Sequence, residues 1–274
     1  MNSNASTGEW LERLHDVLRA FDTCAIAFSG GTDSSALAAV AVDVLGAERC
    51  RAMIVVTPMM ADGEFSDARR IADEIGIPLE CIEIDPLDDE FIRRNQPDRC
   101  YHCKRRIFTQ LFERAGAATL LSGDHAGDRM AYRPGRRALE ELGIRSPLAE
   151  CGLTKPEIRA IARHYQLRCA ERPATPCLAT RFAYGLELSH EWLRQVDAAE
   201  ATLRRIGLGC ELRVRVHPGE LARIEIPESE LGRFADGACR RRVLEAVRGA
   251  GFRHVTLDLA GFRSGSFDEP PAHL

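Results

Sequence analysis

The sequence is short of long apolar runs, of basic charge and of lysine. No apolar run among its 274 residues approaches the roughly 18–20 residues that a membrane-spanning helix needs, so we expect no membrane partner. Its 37 basic residues are outnumbered by 41 acidic ones, which gives a formal net charge of −4. Because a chain that binds nucleic acid by charge alone is normally basic, this balance argues against a nucleic-acid partner. Only Lys104 and Lys155 are lysines, so the place of each in the fold is of interest.

The N-terminus and the cysteines point to a reducing compartment. Residues 1–16 are polar and then amphipathic, without the basic and apolar segments of a signal peptide, and we expect a cytoplasmic protein. The 10 cysteines are scattered along the chain. In a reducing compartment they are expected to be thiols, metal ligands or nucleophiles rather than disulfides.

The first half of the chain alternates strand-like and helix-like segments. The predicted strands are 23–28, 51–57, 79–85 and 117–122, and the predicted helices lie near 33–46, 64–76 and 101–115. Alternation at this spacing is typical of βαβ units, so we predict an α/β fold with a parallel sheet covered on both faces. Thr154 and Glu157 have the spacing of a capping box that opens a helix reaching about Tyr165.

A smaller unit follows an irregular stretch at 166–188. Its predicted elements are helix 189–206, strand 211–217, strand 221–226, helix 228–249 and strand 253–259. This α-β-β-α-β order predicts a small α+β unit. We therefore predict two domains, 1–186 and 187–274.

The string SGGTDS, which begins at Ser29, joins a predicted buried strand to an alanine-rich helix. Gly30 and Gly31 allow a tight turn that points backbone N–H groups outward, and the helix N-terminus adds partial positive charge, so the loop is suited to phosphate. Ser29 and Ser34 can donate hydroxyl hydrogen bonds, and Asp33 is placed to hold Mg²⁺. The lysine of a GxxxxGKS/T loop is missing, so this is not the P-loop of kinases and GTPases.

SGGTDS resembles the pyrophosphate loop of the PP-loop ATP pyrophosphatases, which include NAD synthetases, GMP synthetases and tRNA thiolases. The resemblance implies ATP as cofactor, adenylylation of the substrate and release of pyrophosphate. A second segment, LSGDHAGDRMAYRPG, resembles the element that lies near ATP in that family. Gly123 and Asp128 match its pattern, whereas Asp124, His125 and Gly127 depart from it.

Two cysteine segments are candidates for chemistry. Cys100 and Cys103 have CxxC spacing at a predicted helix start, so they share one helix face. This spacing alone leaves zinc, redox and iron–sulfur roles open, as well as incidental helix cysteines, although no second ligand pair for a zinc site follows. Cys177 lies in an irregular, proline-flanked segment where Arg172 and Arg181 favour the thiolate, the nucleophilic form. A small buried apolar cysteine is the alternative.

Together these motifs resemble the LarE family of ATP-dependent sulfurtransferases, which act on pyridinium-3,5-biscarboxylic acid mononucleotide in nickel-pincer cofactor synthesis. The resemblance covers residues 8–262. It rests on these strings of the sequence: SGGTDS, RCYHCK, AYRPG, SPLAECGLTKPEIR, PATPCLATRFAYG and RVRVH. It implies that Cys177 carries the sulfur, that the substrate is a small mononucleotide, and that the chain forms a homo-oligomer.

The resemblance implies one of two sulfur sources. In one version of the family, a lone cysteine gives up its sulfur and becomes dehydroalanine. In the other, three cysteines hold a 4Fe-4S cluster whose remaining iron carries an extra sulfide. Because this chain has Cys100 and Cys103 as well as Cys177, the cluster version is favoured.

Alternation along the strand RVRVH places Arg213, Arg215 and His217 on one face. Paired arginines suit bidentate binding of phosphate or carboxylate, and Glu225 on the next strand can position an arginine or contact the pyridinium ring. From composition alone, a solvated and salt-bridged outer face is the alternative. The resemblance favours substrate binding by Arg213, Arg215 and Glu225. It extends the substrate site to Arg133 of AYRPG and Arg181 of PATPCLATRFAYG.

Two rival functions remain open. A tRNA thiolase shares the ATP loop and, in some members, a three-cysteine cluster; the acidic net charge and the lack of a separate RNA-binding module argue against it. The other rival is a non-catalytic module that binds ATP or an iron–sulfur cluster, which would bind ATP without releasing pyrophosphate.

Overall fold

The computed structural model describes residues 7–129, 134–173, 175–209, 211–263 and 267, which divide between two units. Unit 1 holds the described residues within Met1–Thr57, Gly63–Pro86 and Cys100–Thr175. Unit 2 holds those within Pro58–Asp62, Leu87–Arg99 and Pro176–Leu274. The predicted boundary between 186 and 187 stays a prediction.

The described elements follow one another along the chain as strands, helices and short 3-10 turns. The strands are β1 (Cys24–Ala27), β2 (Cys50–Val56), β3 (Leu79–Glu83), β4 (Thr119–Leu121), β5 (Arg213–His217), β6 (Leu221–Glu225) and β7 (His254–Leu257). The α-helices are α1 (Thr7–Arg19), α2 (Thr32–Leu45), α3 (Glu64–Ile75), α4 (Glu90–Arg93), α5 (Arg99–Ala115), α6 (Pro134–Glu141), α7 (Pro147–Glu150), α8 (Lys155–His164), α9 (His190–Arg205) and α10 (Gly237–Gly249). The 3-10 turns are Ala47–Arg49, Pro86–Asp88, Ala126–Arg129, Leu178–Arg181 and Glu228–Ala235.

The sheet of unit 1 is parallel, in the order β3-β2-β1-β4. Strand β1 lies between β2 and β4, with Ala25 opposite Arg51 on one side and Leu120 on the other. The α/β fold with a parallel sheet is therefore confirmed. Because β1 has β2 on one side and β4 on the other, the gap between β1 and β4 is the place where the strand order reverses, which is where such sheets bind ligands.

Helices cover this sheet and complete the core of unit 1. Ala25 and Met53 of the strands pack with Phe108 and Leu111 of α5 and Leu139 of α6, all buried. Helix α2 is buried over most of its length, which explains its alanine-rich sequence, since only small side chains let a helix lie close to its neighbours. Parallel strands buried on both faces account for the short continuous apolar runs in the sequence.

Unit 2 contains a three-stranded sheet in the order β5-β6-β7. Strands β5 and β6 are antiparallel, with Arg213 opposite Glu225 and Arg215 opposite Arg223, and β7 joins β6 in parallel. The order α9-β5-β6-α10-β7 agrees with the predicted α-β-β-α-β unit.

The single helix predicted over 228–249 is wrong in its first part. Residues Glu228–Ala235 form a 3-10 turn, and α10 begins only at Gly237. Asp236 lies between them with extended backbone angles, and its carboxylate accepts hydrogen bonds from the N–H groups of Ala238 at 3.2 Å and Cys239 at 2.9 Å. An aspartate that caps a helix start competes with continuation of the preceding turn, and this explains the break.

The capping box is confirmed: the Glu157 carboxylate accepts a hydrogen bond from the Thr154 backbone N–H at 2.8 Å and also contacts the Thr154 hydroxyl. This box sets the first residue of α8, Lys155. In the part of the chain that the structure describes, no helix has the length and apolar character required to cross a membrane.

Candidate functional site

The loop that follows β1 is shaped by Gly30. Its φ of +68° lies in the left-handed region, and a Cβ at this position would lie 2.6 Å from Cα of Ala68. Both the backbone angle and the space therefore require glycine. Gly31 then caps α2, whose first backbone N–H groups have no partner within the helix and can bind an anion.

Two serine hydroxyls tighten this loop. Ser34 Oγ accepts a hydrogen bond from the Ser29 N–H at 3.2 Å and lies 3.2 Å from Ser29 Oγ. Ser29 Oγ in turn accepts from the Gly31 N–H at 3.3 Å. The structure thus brings Ser29, Gly30, Gly31 and Ser34 together as the sequence predicted, in a turn whose hydroxyl groups lie beside the start of α2.

The loop after β4 packs against the same helix start. A Cβ at Gly123 would lie 3.0 Å from the Ser34 backbone nitrogen, so only a residue without a side chain lets the two loops approach this closely. The side chain of the predicted ligand Asp128 lies outside the part of the chain that the structure describes, and Arg133 lies outside it entirely. Among the described residues, Gly123 is the predicted residue of the second segment that lies at the site.

Both lysines of the chain lie beside these loops. Lys155 Nζ lies 2.7 and 2.8 Å from the two carboxylate oxygens of Asp33 in the first turn of α2, and each side chain is 29% exposed. Lys104 Nζ lies 4.0 Å from a carboxylate oxygen of Asp124 in the loop after β4. Neither lysine is among the site residues that the motifs predict, although the rarity of lysine in the sequence singles out both.

Asp33 is therefore held by a cation of the protein rather than left open toward solvent. Its carboxylate is a suitable ligand for Mg²⁺, which prefers oxygen donors and is usually bound by one or two carboxylates together with phosphate oxygens. The Lys155 ammonium reduces the negative charge at this carboxylate. The arrangement is suited to a site that receives a polyphosphate and its metal ion together.

Cys100 and Cys103 lie one turn apart near the start of α5, and both are partly buried. Their helical spacing is confirmed. Among the described residues, no three His, Cys, Asp or Glu side chains form a group that can hold a metal ion. The 4Fe-4S cluster on Cys100, Cys103 and Cys177 therefore stays a prediction.

In unit 2, Cys177 is exposed at the start of the 3-10 turn Leu178–Arg181. Its carbonyl accepts hydrogen bonds from the N–H of Thr180 at 3.0 Å and from its hydroxyl at 2.8 Å. The Leu178 N–H donates to the Met59 carbonyl at 2.8 Å. The alternative of a small buried cysteine is wrong for this residue, since the backbone is anchored while the thiol faces solvent.

Arg181 is fully buried, at 0% exposure. Its Nε and Nη2 donate to the two carboxylate oxygens of Glu200 at 3.0 and 3.2 Å. Its Nη1 donates to the carbonyls of Pro176 at 2.6 Å and Cys177 at 3.1 Å. The predicted substrate residue Arg181 thus has its donors engaged by the protein and acts on the backbone around Cys177.

The arginine face of β5 is buried, so the alternative of a solvated outer face is wrong. Arg215 donates from Nε to Glu225 at 2.8 Å, and Arg223 donates to the second oxygen of Glu225 at 3.0 Å. The Arg215 guanidinium also lies over the ring of Phe267, with 5.2 Å from the ring centre to the guanidinium carbon.

Arg213 differs from its neighbours on this face. It is only 8% exposed, and among the described residues its one hydrogen-bond acceptor is the Leu212 carbonyl at 2.7 Å, with no carboxylate paired to it. Burial lowers the pKa of Arg213 to about 10, and the nearby Arg181 guanidinium adds to the shift. A buried cation that has few partners is stabilised by an anion, so this position is suited to a phosphate or carboxylate.

Comparisons with known proteins agree with these features. The sequence profile of the NAD synthase family matches residues 12–110. The chain is 38% identical over 247 residues to the pyridinium-3,5-bisthiocarboxylic acid mononucleotide synthase of Lactiplantibacillus plantarum, covering 89% of this chain and 88% of that protein. It is 37% identical over 261 residues to an uncharacterised Synechocystis protein, covering 94% and 96% of the two chains. A tRNA-specific 2-thiouridylase of Geobacter metallireducens is 29% identical over 197 residues, 54% of this chain and 52% of that enzyme.

Proposed function

Since the chain belongs to the LarE family of sulfur-inserting mononucleotide synthases, we propose that it is an ATP-dependent sulfurtransferase acting on pyridinium-3,5-biscarboxylic acid mononucleotide. The observation that carries the proposal is that one chain contains both an anion-binding loop, in unit 1, and an exposed, backbone-anchored cysteine, Cys177, in unit 2. One supplies the activation of a carboxylate, and the other supplies the sulfur that replaces its oxygen.

Activation is needed because a carboxylate oxygen is a poor leaving group. A carboxylate oxygen of the substrate attacks the α-phosphorus of ATP, the bond to the bridging oxygen breaks, and pyrophosphate leaves with the electron pair. The product is an acyl adenylate. The proposed loop residues Ser29, Gly30, Gly31 and Ser34 hold the β- and γ-phosphates with N–H and O–H donors, where negative charge develops.

Lys155 and the proposed metal ligand Asp33 are proposed to stabilise the same negative charge on the departing pyrophosphate. Asp33 would hold Mg²⁺, which supplies charge neutralisation at the departing pyrophosphate. When a polyphosphate occupies the loop, the Lys155 ammonium beside Asp33 is placed to contact its oxygens. Lys104, on α5 beside Asp124 of the loop after β4, is proposed to bind the same ligand, and Gly123 and Asp128 are proposed to contribute from that loop.

The proposed substrate carries a nucleotide phosphate and two carboxylates, and we propose that arginines of unit 2 bind these anionic groups. Support for Arg213 comes from its burial without a paired carboxylate. Arg215 and Glu225 complete the proposed substrate face, where Glu225 orients the Arg215 guanidinium. Arg133 is proposed for the same role from its motif, and Arg181 is proposed to act through the Cys177 backbone.

Both sulfur sources implied by the resemblance stay in the proposal, and in the sacrificial route the sulfur comes from Cys177. Its thiolate attacks the acyl carbonyl, AMP leaves, and a thioester forms. Removal of the Cα proton of Cys177 then breaks the Cβ–S bond, which leaves a thiocarboxylate on the product and dehydroalanine in the chain. If a 4Fe-4S cluster assembles instead, Cys100, Cys103 and Cys177 would hold it, and it would supply sulfide in place of the cysteine sulfur.

One experiment tests both the reaction and the sulfur source. Anaerobically prepared protein, treated with iron and sulfide, is incubated with ATP, Mg²⁺ and the mononucleotide, and the intact protein mass and thiolated product are measured. One turnover per chain with loss of the elements of H₂S from Cys177 supports the sacrificial route. Repeated turnover with an unchanged Cys177 mass supports the cluster.

Absence of thiolated product would overturn the proposed substrate. In that case filter binding with tRNA separates the tRNA thiolase from the non-catalytic module, because only the thiolase binds tRNA. A coupled pyrophosphate assay adds a second distinction, since the non-catalytic module binds ATP without cleaving it.

A further inference from the structure

The turn that carries Cys177 is held by arginines from separate elements. Arg181 Nη1 donates to the carbonyls on either side of the Cys177 Cα, those of Pro176 at 2.6 Å and Cys177 at 3.1 Å. Arg99 Nη1, at the start of α5, binds the Ala179 carbonyl at 2.8 Å. Arg215 Nη1, on β5, binds the Thr180 carbonyl at 2.7 Å. These guanidinium groups are directed at the protein backbone, and the exposed thiol is left unconstrained by any of them.

Each of these arginines is oriented by a buried acceptor. Glu200, 1% exposed, receives both Nε and Nη2 of Arg181. Asn95, fully buried, receives Arg99 Nη1 at 2.5 Å. Because a guanidinium is planar, fixing one edge against a carboxylate fixes the direction in which its remaining N–H groups point.

Glu200 is the centre of this arrangement. It lies in α9, and its second oxygen also accepts from Arg204 at 2.7 Å, while its first accepts from the Val214 N–H of β5 at 3.0 Å. A buried glutamate that binds two arginines and a strand amide joins helix, sheet and the Cys177 turn through one side chain. Buried ion pairs contribute little net stability compared with apolar packing of the same volume, because both charges must be desolvated. The ion pairs of Glu200 are therefore better explained by the fixed orientation that they give to the Arg181 guanidinium.

We propose that Glu200 is a positioning residue for sulfur transfer, acting through Arg181 on the backbone of Cys177. This inference rests on the proposed function. The sulfur must approach the acyl carbon from above the plane of the carbonyl group, and a displacement of about 1 Å can slow a reaction about 100-fold. The described hydrogen bonds of Glu200 go to Arg181, Arg204 and the Val214 N–H. Through Arg181, Glu200 fixes the carbonyls between which the Cys177 side chain projects.

The test compares Glu200→Gln with Glu230→Gln as a matched control. Glu230 also accepts hydrogen bonds from an arginine, Arg233 at 2.8 Å, and from a backbone N–H, that of Gly209 at 3.3 Å, and no described hydrogen bond joins it to the Cys177 turn. In both variants the side chain keeps its size and loses its charge. Three quantities are measured on the full chain: ATP–pyrophosphate exchange, single-turnover formation of thiocarboxylate, and hydrogen exchange at individual amides.

For Glu200→Gln we expect thiocarboxylate formation to slow about 100-fold, with pyrophosphate exchange and the KM for ATP unchanged. The Leu178 N–H donates to the Met59 carbonyl, and the Thr180 N–H donates to the Cys177 carbonyl. Hydrogen exchange at these two amides should be about 10-fold faster, because their hydrogen bonds open more often. Glu230→Gln should match the wild type in all three. The proposal would be overturned if ATP–pyrophosphate exchange and thiocarboxylate formation slowed equally in Glu200→Gln, or if thiocarboxylate formation were unchanged.

Arg181→Lys provides a second variant in case Glu200→Gln fails to fold. It keeps the charge opposite Glu200 but removes the planar fork that reaches the carboxylate and the Pro176 and Cys177 carbonyls at once. The same selective loss of transfer is expected. The hydrogen-exchange measurement needs no substrate, so it overturns the positioning role independently of whether the proposed substrate is correct.

Discussion

Lys155 and Asp33, 122 residues apart in the sequence, form a bidentate ion pair with distances of 2.7 and 2.8 Å. The pair joins the first residue of α8 to the first turn of α2, beside the loop that resembles the pyrophosphate loop. It places a lysine next to a sequence motif that lacks one.

Replacing Lys155 with methionine is expected to slow ATP–pyrophosphate exchange about 10- to 100-fold, because the proposed contact of an ammonium with the departing phosphates is lost. Lys155→Arg should recover much of the rate, since it retains the charge. Because an ion pair of this exposure contributes about 1 kcal/mol or less, the unfolding midpoint should change little. Exchange in Lys155→Met at the wild-type rate would contradict a role in nucleotide binding.

Gly30→Ala is expected to be more destabilising than Gly76→Ala. Both glycines have positive φ, +68° and +74°, which costs an alanine about 1–2 kcal/mol, but a Cβ meets the Ala68 backbone only at Gly30. Urea denaturation measures the difference. Gly30→Ala should also abolish pyrophosphate exchange, whereas Gly76→Ala should retain it, and equal effects would show that the loop tolerates a side chain.

Arg213→Met should raise the KM for the mononucleotide about 10- to 100-fold, the equivalent of one hydrogen bond to a charged group, and leave the KM for ATP unchanged. Stability should stay equal or rise, because a buried cation with no paired carboxylate among the described residues is replaced by an apolar side chain. Steady-state kinetics and thermal unfolding check the two parts. A large drop in stability would indicate that Arg213 is a structural residue.

Cys177→Ala should remove thiocarboxylate formation and leave pyrophosphate exchange intact, because the adenylation chemistry does not use the thiol. Cys81→Ala is the matched control, since both thiols are exposed. Cys100→Ala with Cys103→Ala distinguishes the sulfur sources: the sacrificial route predicts unchanged single turnover, and the cluster predicts its loss. Product mass measured after one addition of substrate decides between them.

His217 is expected to weaken the fold at mildly acidic pH. Burial lowers the pKa of His217, and the nearby Arg223 adds to the shift. The unfolded state, with a pKa of about 6.5, therefore binds a proton at a higher pH than the folded state does, so stability is full above about pH 6.5 and falls as the pH drops toward the folded value. Urea midpoints at about pH 7.5 and 5.5 should differ less in His217→Asn than in the wild type.

Local patterns explain why much of the fold could be predicted. A run of apolar residues followed by glycine, or a threonine three residues before a glutamate, depends on contacts within a few positions, and the strands near Ala25 and the capping box at Thr154 were located accordingly. The prediction of one helix over 228–249 is wrong because the break depends on a single side chain. The Asp236 carboxylate caps α10, and the preceding 3-10 turn therefore does not continue into that helix. Periodicity does not distinguish those two outcomes.

The sequence by itself determined the order of strands and helices, the glycine and hydroxyl residues of the phosphate loop, the shared helix face of Cys100 and Cys103 and the shared face of Arg213 and Arg215, because these follow from spacing along one element. Only the tertiary structure decided which charges meet: that Lys155 pairs with Asp33, and that Arg181 turns inward to Glu200 and the Cys177 backbone instead of outward. The physical reason is that burial and ion pairing depend on residues distant in the chain, and the identity of a residue does not specify which distant partner the fold will place beside it.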